Sequence, residues 1–313
     1  MQTSIYRFMS FFELYEMLIN RNLKMSKLEL MEDINEGLGN ALKFQESMSF
    51  GWNLKDKKGF RDFHNRSKGR TYISCWTKEP EAMAMWLLYS KDQSAIRVKT
   101  SLEKLKFCMD KFFKDNFITE HINSPEGTLQ LDSYPTVETV SYVSFEEISN
   151  NLKSKHTEYI DELRNHDHTK FIENGLPKEL EEIVDKKIIP ENNGALLKDK
   201  AYSHENEIRA TFTACLRNGL TTEEWENNKN SDDPRFIFGT ATCHYPESKE
   251  LSNTINVSID YDFIEEICFD PRMPNYKIKV LIDALRIKEK NIKVVESNAF
   301  GYKPDSFDFS IEV

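Results

Sequence analysis

From His204 to Ala214 polar and apolar positions alternate. Glu205, Glu207, Arg209, Thr211 and Thr213 fall on one parity, and Ile208, Ala210, Phe212 and Ala214 on the other. A period of two is that of a β-strand, whose successive side chains point to opposite faces. The pattern predicts a strand with one apolar face and one face carrying two carboxylates and a guanidinium. Shorter β-rich runs predict further strands over residues 5–9, 23–26, 71–76, 94–100, 136–143, 235–238, 254–259, 264–269 and 292–296.

Helical spacing is equally legible in places. Phe11, Phe12, Leu14, Tyr15, Leu18 and Ile19 follow Ser10, which suits an N-cap. Pro80 opens a helix through Met83, Trp86, Leu87 and Tyr89, and Pro274 opens another reaching Lys288. Residues 102–200 are charged and mostly helical in pattern, and they read as a helical insertion within one α+β domain spanning 1–313. Residues 27–70 look polar and loop-rich, and 221–234 read as a mobile acidic link. Strands and helices are segregated rather than alternating as βαβ units, which predicts a mixed or antiparallel central sheet.

Composition narrows the classes. The 313 residues are 39% hydrophobic and 12% aromatic, with only 11 Gly and 10 Pro, as expected of an ordered globular chain with a sizeable core. A net charge of -10 argues against general adhesion to nucleic acid or membrane. Five scattered cysteines with no CxxC pair point to neither a disulfide framework nor a zinc site. With no signal-like start and no apolar run of membrane length, the expected location is the cytoplasm. One local exception is the basic run Lys57 to Arg70, interleaved with Phe60, Phe63 and His64. It reads as a solvated loop, and it also suits a lid or a nucleic-acid contact.

Several residues are candidates for chemistry. Glu205 and Glu207 fit either a solvated ion-pair face or a catalytic one. Ser74, with Trp86 and Tyr89 a helical turn apart, fits a frame for a planar ligand or ordinary helix-on-sheet packing. Arg7 lies in an apolar strand and needs a partner: Glu205, Glu207 or a bound phosphate. Gly37-Leu38-Gly39 lacks the third glycine of a dinucleotide fingerprint. No P-loop, HExxH or GxSxG occurs, and His166-Asp167-His168 reads as surface, so no metal site is predicted.

Three segments together resemble a bacterial domain-of-unknown-function family, DUF2971. They are Tyr6-Arg7-Phe8 with its helix and the loop Met31 to Glu36, then Ser74-Cys75-Trp76-Thr77 with Met85-Trp86-Leu87-Leu88-Tyr89, then Glu205-Asn206-Glu207-Ile208-Arg209. A more distant likeness is to ADP-ribosyltransferases, one branch of which has an Arg on its first strand, a Ser on its second and a late Glu-x-Glu strand. Arg7, Ser74 and Glu205/Glu207 occur in that order.

That likeness implies an enzyme using NAD. Glu207 would stabilise an oxocarbenium-like ribose, and Glu205 would serve the acceptor. Arg7, Ser74, Trp86, Tyr89 and Arg209 would hold the nucleotide, and the acceptor is left open. Two alternatives stand beside it. One is a metal-dependent nuclease using Glu205, Glu207 and Asp33. The other is a noncatalytic nucleotide- or partner-binding module.

Overall fold

The computed structural model describes residues 2–48, 57–81, 83–117, 127–132, 134–166, 175–190, 194–217, 221–228, 243–244 and 251–300. The expected strand 235–238 and residues 229–234 of the expected link lie outside them.

The core is organised by two strands, β3 (Thr71–Thr77) and β9 (Glu207–Arg217), paired antiparallel from Thr71↔Thr213 to Thr77↔Glu207. Their alternation sorts side chains into two layers. Tyr72, Trp76, Ile208, Ala210 and Phe212 enter the main core, where Tyr72 and Phe212 stack at 5.5 Å. Helix α5 (Leu102–Asn116) closes this layer with Leu105, Cys108 and Met109. Cys75, Thr77, Glu207, Arg209 and Thr211 belong to the other layer.

The sheet forks at β3. One edge pairs with β9 throughout; the other is shared. Strand β2 (Asn22–Lys27) meets β3 at Ile73 and Tyr72, while β1 (Ser4–Met9) meets it only at Thr77. Among the described residues no partner is registered on that edge for residues 74–76. Beyond β1 the sheet continues through β4 (Ile96–Ser101) and β12 (Glu266–Phe269) to the parallel strand β13 (Lys293–Val295). Strand β10 (Cys243–His244) pairs with the end of β9, and β11 (Thr254–Ser258) extends β2. The architecture is the expected α+β mixture.

Two expectations change. Residues 38–48 and 57–70 are helical, as α2 (Leu38–Met48) and α3 (Lys57–Arg70), rather than looped. The basic run is stable as a helix because its C-terminal end is anchored. Lys68 Nζ donates to the Ile34 carbonyl, Thr71 Oγ1 donates to the Ser67 carbonyl, and Arg70 pairs with Asp132. Cations in the last turn also suit the helix dipole. The acidic link likewise contains a helix, Thr222–Asn228.

The 102–200 stretch supplies α5 to the main core and the short strands β5 (Leu129–Leu131) and β6 (Thr136–Thr139) to β9. Strands β7 (Ser141–Val143) and β8 (Leu197–Asp199) form a separate parallel pair. No helix of the described residues is long and apolar enough to cross a membrane.

Candidate functional site

The fork between β1, β2 and β3 opens as a cleft of about 230 Å³. Arg7, Glu13, Cys75, Glu205 and Glu207 all border it. Tyr6, Phe8, Trp76 and Tyr89 supply aromatic walls. Residues from opposite ends of the chain thus meet where the strands part.

Beneath the cleft lies a buried ionic network. Arg209 is fully buried and donates through both Nη atoms to Glu36, at 2.8 and 2.7 Å. It also donates to Glu207 through Nε and Nη2, at 2.6 and 3.0 Å, and to the Ala195 carbonyl at 2.8 Å. Lys198 Nζ reaches Glu205 at 2.6 Å, and Glu36 and Glu207 at 3.3 Å each. The charged face of β9 is therefore dry, its cations satisfied by carboxylates from the same face and from the loop before α2.

Local sequence explains how each member arrives. Gly37 takes φ +76°, a conformation glycine adopts without strain, and turns the chain so that Glu36 points inward. A Cβ at Gly39 would stand 2.4 Å from the Gly194 carbonyl, and one at Gly194 would stand 2.3 Å from the Asn40 nitrogen. These glycines let backbones touch, which brings the Ala195 carbonyl over Arg209. Gly37 and Gly39 serve packing, in keeping with the absence of a dinucleotide fingerprint.

Glu205 is not on the strand. It ends a 3-10 helix, Lys200–Glu205, and Asn206 follows in the left-handed region with φ 42°. Thr77 Oγ1 donates to the Glu205 carbonyl at 2.6 Å, and the Glu207 amide donates to Tyr142 Oη at 2.8 Å. The expected strand over 204–214 thus starts later, because the turn at Asn206 interrupts it. That turn still delivers Glu205 to the same cluster.

Arg7 finds neither Glu205 nor Glu207. It donates to Glu13 at 3.1 Å and to Ser74 Oγ at 2.6 Å. Glu13 also completes the capping box of α1 (Phe11–Ile19) with Ser10. Ser74 shares the core-facing layer with Trp76, whose Nε1 donates to the same hydroxyl. Trp86, on α4 (Met83–Tyr89), is fully buried edge-on against Phe8 at 4.7 Å, and its Nε1 has no partner among the described residues. Tyr89, one turn on, stacks with Phe8 at 6.4 Å and borders the cleft. Of the sequence candidates, Arg7, Tyr89, Glu205 and Glu207 line the opening; Ser74, Trp86 and Arg209 lie behind it.

The electrostatics differ between the two glutamates. Burial pushes the Glu205 carboxyl up, with Lys198 compensating only in part. Burial acts on Glu207 too, but Arg209 and Lys198 outweigh it and hold that carboxyl below its ordinary value. Burial and the adjacent Glu207 keep the Cys75 thiol protonated. Burial also raises Tyr89, assisted by Glu205 and Glu207, so it remains a neutral phenol. One carboxylate held in its charged form beside one shifted toward its protonated form is an asymmetry suited to acid–base work on a bound ligand.

Glu36, Lys198, Tyr142 and Cys75 were missed as site residues from sequence. The only signal for Glu36 was its place at the end of the Met31–Glu36 loop. Asp33 does not join the carboxylates, since its Oδ1 accepts from the Asn35 amide. Among the described residues no group of three or more His, Cys, Asp or Glu is arranged to hold a metal ion.

Residues 85–210 match the model of a family described as a protein of unknown function, DUF2971, which supports the family likeness read from the sequence. The matched range includes Tyr89, Lys198, Glu205, Glu207 and Arg209, and excludes Arg7 and Glu36. No curated protein and no solved structure matches the chain.

Proposed function

We propose that the cleft binds the nicotinamide–ribose half of NAD and that the protein is an ADP-ribosyltransferase-type enzyme. The observation that carries this reading is that Arg7 and the carboxylates of Glu205 and Glu207 border one cleft walled by aromatic rings. At about 230 Å³ the cleft suits part of a dinucleotide, with the remainder crossing its open rim. Tyr6 and Tyr89 offer faces for a planar ring, and Arg7 offers donors to phosphate or ribose oxygens.

In this reading Glu207, held ionised by Arg209 and Lys198, faces the ribose as the nicotinamide–ribose bond breaks and stabilises the positive charge developing there. Glu205, with its raised proton affinity, accepts the proton of the incoming nucleophile. Arg209 and Lys198 are positioning residues. The acceptor is a protein, a nucleic acid or a small molecule.

Purified protein incubated with NAD should release nicotinamide or label a macromolecule in a lysate. Glu207→Gln should lower the rate by about 100-fold or more while the fold persists. Absence of both nicotinamide release and labelling would rule the reading out.

A further inference from the structure

Among the described residues the network beneath the cleft is one positive charge short. Glu36, Glu205 and Glu207 bring three carboxylates, and the cations placed among them are Lys198 and Arg209. Arg7 does not make up the difference, because Glu13 already pairs with it. All three carboxylates are more than nine-tenths buried, so solvent cannot make up the difference cheaply. The deficit has an address. Glu36 and Glu207 are each held by Arg209 through both oxygens, whereas Glu205 gives only Oε2, to Lys198. Its Oε1 has no hydrogen-bond partner among the described residues, and the side chain borders the cleft. The rings of Tyr6, Phe8, Trp76 and Tyr89 line the same opening.

We infer that the cleft selects a ligand presenting a planar organic cation, which docks against Glu205 Oε1 between aromatic faces and completes the charge balance of the network. A carboxylate with one open oxygen attracts such a group, and ring faces favour cations over neutral isosteres. The inference deepens the NAD reading, since the oxidised nicotinamide ring is a pyridinium. It is equally met by an amidinium or guanidinium.

Two pairs of probes differ in charge at nearly constant shape: 1-methylnicotinamide against nicotinamide, and benzamidine against benzamide. Titrations followed by tryptophan fluorescence should give tighter binding of each cation by about tenfold or more over its neutral partner. The preference should vanish in Glu205→Gln and persist in Glu205→Asp, with circular dichroism confirming the fold. Neutral partners binding as well as the cations, a preference that survives in Glu205→Gln, or no cation binding would overturn the inference. These comparisons in the unaltered protein decide the matter even if a variant fails to fold. Selection of benzamidine without 1-methylnicotinamide would retain the cation site and remove the NAD reading. NAD turnover without any cation preference would do the reverse.

Discussion

Glu205 and Glu207 are two positions apart and electrostatically opposite, and this contrast yields a pH test. The folded state raises the pKa of Glu205 above its ordinary 4.5, so the stability tied to this group is present below about pH 4.5 and lost as pH rises through the folded value. Glu207 is lowered, so its contribution is present above pH 4.5 and lost as pH falls through its folded value. Glu205→Gln leaves two carboxylates against two cations. It should therefore unfold at the same temperature as the unaltered protein or higher at pH 7, with the advantage shrinking toward pH 4. Glu207→Gln should be less stable at pH 7, with the gap closing in acid. A series of thermal melts across this range measures both; identical pH profiles would contradict the assignment. Glu36→Ala removes a buried partner from Arg209 and should cost about 3–5 kcal/mol in denaturant unfolding.

At the level of elements, the site depends on backbone contact between α2 and residues 194–196. Gly39→Ala and Gly194→Ala each place a methyl against main-chain atoms, at 2.4 and 2.3 Å. Each should cost about 1–3 kcal/mol by overpacking. Gly127 also has a positive φ, 76°, but open surroundings, so Gly127→Ala should cost about 1–2 kcal/mol from backbone strain alone. The distinguishing outcome is ligand affinity: the two crowded variants should lose cation binding as the Ala195 carbonyl shifts off Arg209, and Gly127→Ala should keep it. Equal ligand affinity in all three would detach the network from this packing.

Most elements were legible because burial is periodic. Arg7, Tyr89 and the Glu-x-Glu pair could be chosen as chemistry in apolar or aromatic surroundings, and they do border one cleft. The helix over Lys57–Arg70 was not legible, because its stability comes from anchors such as Ile34, Asp132 and Ala214, distant in sequence. The dryness of the β9 charged face was hidden for the same reason. A charged strand face looks solvated until Glu36 and Lys198, from separate segments, are folded onto it. Alternation specifies which side chains share a face, not what covers that face.

Across the whole molecule, the forked sheet gathers distant segments into one opening. Strand β1 contributes Arg7, α4 contributes Tyr89, the turn before β9 contributes Glu205, and the start of β9 contributes Glu207. We propose that this opening is where the protein meets NAD. A crystal structure of the protein with saturating NAD should show density for the nicotinamide–ribose half in the cleft, touching Glu205 or Glu207. NAD bound elsewhere, or a cleft empty at saturation, would contradict it.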